Sequence, residues 1–311
     1  MSRRRIGQES FGFGDTGRRH SSLDDLSKVI DWAPVDQALA GISCAAKGEP
    51  AWPPPALFKA LLLAVWYDLS DVKLAEALDD RASFRRFCGF SGAEPTPERT
   101  AFVRFRKTST IRGLDQALFD DVTAQLKAKA IRVKTGTLVD ATIIASASKG
   151  DEEARWIKHK RKPAVHGFEA HVGADADTAL VEEIAVTPAN VHDGKAGGDA
   201  LPDDPGQVFA DSAYRGEAFR AAVRAKGGTP RIVATHMWGL DEEETLAELD
   251  AWNQPIHRVR GRIEKIFGTW KRSYGLRRIR WLGLAKASLQ IRLTAIAYNM
   301  RRTLSILAVA A

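Results

Sequence analysis

Near residue 137 the hydrophobic period of the chain changes, and that change decides which parts can become helix and which can become sheet. Before about residue 130 apolar residues recur at helical spacing, whereas Thr137 to Ile144 (TLVDATII) is a β-branched run suited to a pleated strand. In the first part, Pro53-Pro54-Pro55 introduces a helix over about 56–68, and Ser70 caps a second that ends near Leu78. A third covers about 82–87, Thr96-Pro97-Glu98 opens another that reaches Lys107, and a long amphipathic helix spans about 113–129.

After the change, strands are expected at 137–144, 167–173 and 180–187, with a turn at 175–177 between the last two. The loop Asn190-Val-His-Asp-Gly194 and a short helix lead to a strand at 207–210. A helix at 215–226, a strand at 229–234 and helices at 241–252 and 257–271 follow. Three strands that meander and two that return through helices give the order of a ribonuclease-H-like core. The expected fold class is therefore α/β, a mixed five-stranded sheet with helices, behind an all-α N-terminal region. The expected domains are a helical DNA-binding or dimerisation domain at 1–130 and a catalytic domain with basic C-terminal helices at 131–311.

The helix at 257–271 has three faces. At about 100° per residue, Val259, Ile263, Ile266, Phe267 and Trp270 gather on one side and His257, Arg260, Glu264 and Lys271 on another, with Arg258, Arg262 and Lys265 between. The charge is uneven too. Residues 255–302 hold thirteen Lys or Arg and one acid, Glu264, a local +12 in a chain of +7, which leaves the remainder at −5. Arg155, Lys158, Lys160, Arg161 and Lys162 form a second cluster, and residues 3–5 a short third. Clustered cations beside Trp270, Tyr274 and Trp281 suit a polyanion held along its backbone, such as DNA. Arg104 and Arg106, late in the N-terminal helices, are compatible with a helix-turn-helix-like reader, a pattern any small helical bundle also gives.

Only two cysteines are present, Cys44 and Cys88, too far apart for a zinc motif or a disulfide framework, which points to a reducing cytosol. The longest apolar runs, 60–67 and 304–311, are too short to span a bilayer, so a soluble cytoplasmic protein is expected. Leu289, Leu293, Ile296, Ala297, Met300 and Leu304 repeat at helical spacing and are expected to pack against the sheet or a second copy.

Asp140 sits inside an apolar β-branched strand, where an uncompensated charge is expensive. Asp211 follows the apolar Val208-Phe209-Ala210 at a strand's C-terminal end, where sites of α/β sheets collect. If the sheet forms in the expected order, these two acids and Glu264 converge from two strands and a helix. Three such carboxylates need cations among them, and oxygen ligands suit Mg²⁺, with Mn²⁺ able to substitute. Two ions would serve an in-line displacement at phosphorus, with Arg260 and Lys271 gripping the DNA backbone. Each acid taken alone would serve as well as a capping, turn-forming or salt-bridged carboxylate.

These residues resemble the DDE transposases of bacterial insertion sequences, specifically the insertion-sequence-five group, over nearly the whole chain. Leu69-Ser-Asp71, Ser83-Phe-Arg-Arg-Phe-Cys-Gly89 and Arg104-Phe-Arg106 look like that group's helical region. Val165-His-Gly-Phe-Glu-Ala-His-Val-Gly173, Ala189-Asn-Val-His-Asp193, Ala210-Asp-Ser-Ala-Tyr-Arg-Gly216 and Phe267-Gly-Thr-Trp-Lys271 resemble its catalytic core. The resemblance implies that Asp140, Asp211 and Glu264 are a metal-binding triad, used for hydrolysis at transposon ends and then for attack of the freed 3′-OH on target DNA. It also implies DNA partners and a homodimer or larger synaptic assembly. The family's Tyr-Arg-Glu-Lys signature is met by Arg260, Glu264 and Lys271, with His257 in place of the tyrosine. Only 53 positions separate Asp211 from Glu264, which leaves no room for a large inserted domain.

His166, His171 and His192 are expected to line the site or touch DNA rather than bind zinc. Asp193 would orient a neighbour of the triad or cap the next helix, and Glu169, alternating with Phe168 on a strand, would be a fourth site carboxylate or, the reading favoured, an exposed strand residue. Two rival functions share parts of this pattern. A ribonuclease-H-like nuclease would cut without joining, and a noncatalytic repressor derived from a transposase would lose nothing on Asp140→Ala.

Overall fold

The computed structural model describes residues 3–7, 20–42, 50–92, 94–130, 133–158, 163–236 and 242–310. They form two compact units: residues 1–129 with 292–311, and residues 130–291. The expected division left the whole C-terminal stretch with the sheet, but the last twenty residues belong to the helical unit.

The helical unit is built from α1 (Ser22–Lys28), α2 (Ala33–Ala40), α3 (Pro54–Trp66), α4 (Asp71–Asp80), α5 (Ala82–Cys88), α6 (Arg99–Ile111) and α7 (Leu114–Ala130). Helix α3 carries no charge but Lys59, and buried residues run along nearly its whole length, so it is the central helix of the unit. Its Trp66 indole donates to the carbonyl of Ala297 at 2.8 Å, which ties the C-terminal residues into the bundle. Helices α1 and α2 were not foreseen. Ser21 and Asp24 form a reciprocal capping box that starts α1, and Pro34 sits in the first turn of α2.

In the sheet unit, β1 (Gly136–Ala145), β2 (Arg155–Ile157), β3 (Val165–Asp175) and β4 (Val181–Pro188) come first. Helix α8 (Asp193–Ala196) and a 3-10 turn (Gly197–Ala200) lead to β5 (Gln207–Ala210), a second 3-10 turn (Ser212–Tyr214), α9 (Glu217–Ala225) and β6 (Thr229–Ile232). Strand β3 is antiparallel to β1 along one edge and to β2 and β4 along the other, while β5 is parallel to β1 and β6 is parallel to β5. This is a ribonuclease-H-like mixed sheet of six strands. The extra one is the three-residue β2, too short and too basic to read as a strand from sequence.

Helix α10 (Glu242–Ser273) is continuous through Pro255, where the sequence suggested two helices. An interior proline costs about 3 kcal/mol. Its neighbours outweigh that. Before the proline, Trp252 donates to the carbonyl of Ile232 and the Asn253 amide both donates to and accepts from the backbone of Ala234, each at 2.9 Å. After it, Ile256, Ile263, Ile266 and Trp270 are buried, each worth roughly 1.5–3 kcal/mol. The last helix, α11 (Leu284–Ala310), begins in the sheet unit, and from Arg292 onward its residues belong to the helical unit.

Candidate functional site

Parallel pairing of β1 with β5 sets Leu138 beside Phe209, so the chain leaves β5 at Ala210 and delivers Asp211 next to the middle of β1. Asp211 has extended backbone and caps the 3-10 turn that follows, its Oδ1 accepting the Ala213 N–H at 2.9 Å. Asp140 lies in β1 with its side chain 18% exposed, and its Oδ1 accepts the N–H of Ala141 at 2.9 Å.

The two aspartates meet across one guanidinium. Arg260 Nη2 stands 3.1 Å from Asp140 Oδ2 and 3.9 Å from Asp211 Oδ2. Burial pushes the Asp140 carboxyl up to about 6; Arg260 and the Ala141 N–H oppose the rise, and Asp211 adds to it. A carboxylate that stays under strain with an arginine beside it fits an additional cation. The donors are all oxygens, as a hard divalent ion requires.

Arg260 and Glu264 differ by about 40° around the helix axis and Glu264 and Lys271 by about 20°, so the three share one stripe. Glu264 itself is exposed and makes no hydrogen bond or salt bridge among the described residues. The structure therefore joins Asp140 and Asp211 through Arg260 and carries Glu264 one turn beyond that arginine.

Three further buried titratable groups lie in the same unit, two of them, Glu169 and Tyr214, electrostatically coupled to Asp140. Glu169 on β3 is 4% exposed, which corrects the expectation of an exposed strand residue. Burial pushes its carboxyl up to about 8, Asp193 and Asp140 push the same way, and Lys271 opposes. Tyr214 is fully buried, with its hydroxyl unpartnered. Burial drives its ionisation far upward, and Asp193, Asp140, Asp211 and Glu169 add to the effect. The ring is locked from behind, because a Cβ on Gly197 would lie 2.4 Å from it. His171 is buried at 0% exposure and held neutral, its pKa lowered to about 4 by burial, with Asp199 opposing.

The sequence signal for Glu169 was its two-residue spacing from His171 on an otherwise apolar strand. Alternation shows that the two share a face but not whether that face is covered, and residues 167–175 of β3 are buried on both faces. His192, not Asp193, caps α8: its Nδ1 accepts the Gly194 N–H at 3.1 Å. His166 packs against Trp156 with ring centroids 5.2 Å apart.

The cations expected to hold DNA divide into two sets. His257, Arg258 and Lys265 are exposed on α10, and Arg104 is exposed on α6. Arg262 is engaged on its own unit, donating to the carbonyl of Ala176 and standing 3.9 Å from Asp177. Arg106 corrects the expectation. It is 4% exposed and holds Asp71 with two bonds of 2.7 and 2.6 Å, so its guanidinium serves the helical bundle and offers nothing to a ligand. Helix α5 and the turn-rich stretch after it separate α6 from the helix that Asp71 opens, and sequence spacing gave no hint of the pairing. Lys160 and Arg161 lie outside the described residues. Among the described residues, no helix is long and apolar enough to cross a membrane.

Two family models match this chain. Residues 131–300 match the family model described as "Transposase DDE domain", and residues 14–108 match the one described as "Transposase domain (DUF772)". Among solved structures, a piggyBac transposase synaptic complex with hairpin DNA, studied by cryo-electron microscopy, aligns at 9% sequence identity with a TM-score of 0.43. The alignment covers 91% of this chain and 76% of that one.

Proposed function

This chain belongs to the DDE-domain transposases, enzymes that cleave DNA and transfer its strands with the help of divalent metal, and from that premise we propose that Asp140, Asp211 and Glu264 are its three metal-binding carboxylates. The observation that carries the proposal is the pairing of Asp140 and Asp211 through Arg260, on the one helix that also bears Glu264. Mg²⁺, with Mn²⁺ as substitute, is the ion proposed, in a pair.

When bound, the ions would supply an activated attacking oxygen and charge stabilisation at the leaving oxygen. The protein's own groups do the positioning. Arg260 presents a planar fork to carboxylates now and has the geometry to grip a phosphate next to the scissile bond. Lys271 and His257 flank Glu264 along the same stripe and would hold the backbone on either side. Arg258, Lys265 and Arg104 extend the cationic surface, where affinity is gained at low salt and lost at high salt.

We further infer membership of the insertion-sequence-five group, from the motif resemblance with His257 in place of the signature tyrosine. The substrates are then terminal inverted repeats and target DNA, hydrolysed at the ends and joined through the 3′-OH. The acting species is a homodimer or larger synaptic assembly in the bacterial cytoplasm, at the nucleoid. The test uses duplexes of the element's own inverted repeats with Mg²⁺ and a target plasmid. Native protein should nick the ends and join pre-cut ends to the plasmid, and Asp140→Asn, Asp211→Asn and Glu264→Gln should each lose both reactions while retaining DNA binding. Full activity of Glu264→Gln would remove that residue from the triad, and nicking without joining would favour a nuclease.

A further inference from the structure

Glu169 and His171 are two residues apart on β3, so strand alternation sends both side chains to the same face. In the β1–β3 register they lie opposite Ile143 and Ala141, whereas Asp140 lies opposite Val172. Asp193, the first residue of α8, meets them. One ligand atom from each of Glu169, His171 and Asp193 lies within 4.8 Å of the other two.

The histidine separates this cluster from an ordinary acidic patch. His171 is fully buried, and its Nε2 shares a 3.1 Å hydrogen bond with Thr187 Oγ1. Its Nδ1 has no hydrogen-bond partner and stands 3.8 Å from Asp193 Oδ1, beyond hydrogen-bond range. A buried polar nitrogen left unpaired costs about 1–3 kcal/mol, and here it stands 3.8 Å from the Asp193 carboxylate, with Glu169, whose ionisation is already resisted by its surroundings, in the same cluster. A proton or a cation relieves both conflicts, and only a cation satisfies all three ligand atoms together.

We propose that Glu169, His171 and Asp193 form a second metal site for a divalent transition ion that accepts mixed nitrogen and oxygen ligands, such as Mn²⁺, Zn²⁺ or Co²⁺. One imidazole nitrogen with two carboxylate oxygens suits those ions, whereas Mg²⁺ prefers oxygen alone. Bonds of about 2.0–2.2 Å place the ligands of one ion roughly 3–4 Å apart, so small side-chain rotations close the present spacing. An ion there ties β3 to the Asn190–Asp193 loop and fixes the wall behind Tyr214.

The experiment uses the full-length Asp140→Asn, Asp211→Asn double variant, which lacks both acids joined by Arg260, so its outcome is independent of whether those acids serve catalysis. Titrated with Mn²⁺ after chelator treatment, it should bind about one ion per chain, with ¹⁴N modulation in pulsed electron paramagnetic resonance. Adding His171→Ala or Asp193→Asn should weaken binding by roughly tenfold or more, and His171→Ala should abolish the nitrogen signal. Should His171→Ala fail to fold, the half-buried Asp193→Asn decides, with thermal melting of the metal-free protein as its control. Absence of bound Mn²⁺, a signal without nitrogen coupling, or undiminished binding in a folded Asp193→Asn variant would each overturn the site.

Discussion

The helical unit and the part of the sheet unit around Asp140 both bury charge, but they treat it in opposite ways. In the helical unit each buried acid has a matched cation: Asp71 takes both arms of Arg106, and Asp115 pairs with Arg292. In the sheet unit Asp140, Glu169 and the Tyr214 hydroxyl crowd together, and the ionisation of all three is pushed upward by burial and by one another. Matched charge stabilises a fold. Charge gathered without a match costs stability and persists where it does chemistry. The difference separates the site from the structural ion pairs of both units, the 2.8 Å pair of Lys134 with buried Glu182 in the sheet unit included.

That contrast can be broken by experiment, and catalysis is where the largest effect should fall. Asp140→Asn should lower end cleavage by roughly 10³-fold, comparable with removing a key charge-stabilising group, while urea denaturation of the metal-free protein shows stability unchanged or improved. A marked loss of stability would place Asp140 with the structural acids.

Arg106→Ala should do the reverse. Stranding Asp71 in a buried position should cost about 3–5 kcal/mol in urea unfolding, and at permissive temperature the specific activity of the folded fraction should persist. A cost below about 1 kcal/mol would show that the pair is merely a surface contact.

Glu169→Gln gives a smaller effect that depends on pH. The carboxyl's folded pKa, about 8, lies above its ordinary 4.5, so the native state binds the proton more tightly than the unfolded chain. Stability from this group is fully present below the ordinary value and is lost as pH rises through the folded one. In the presence of chelator, Glu169→Gln should therefore match the native protein near pH 4 and be the more stable of the two at pH 8, by about 1 kcal/mol or more. Parallel stability curves would show that Glu169 is not strained.

The smallest effect belongs to the exposed face of α10. Arg258→Ala should leave stability within about 0.5 kcal/mol, weaken DNA binding uniformly across sequences, and reduce the salt slope of the binding constant by about 1. An unchanged slope in filter binding would take Arg258 out of the interface.

Much of this was legible in the sequence, because strand and helix signals are local. Strand β5 falls at the expected 207–210, and the strand carrying Asp140 was misjudged by one residue at each end. What escaped was set by partners remote along the chain. Arg106 looked like a ligand-binding cation because nothing in its neighbourhood announces Asp71, 35 positions away. Glu169 looked exposed because alternation says which residues share a face, not whether that face is covered. Pro255 looked like a boundary because the anchoring of Trp252 and Asn253 on β6 and the residues just after it is a tertiary effect.

The turn after β5 limits what Asp211 can offer. Its Oδ1 accepts the Ala213 amide, while its Oδ2 stands 3.9 Å from Arg260. A cation received there meets Oδ2 first, because the Ala213 bond fixes the direction in which Oδ1 points. Lengthening the acid by a methylene would force a choice between closing the turn and reaching the site, so glutamate, the nearest chemical relative, is a poor substitute at this position.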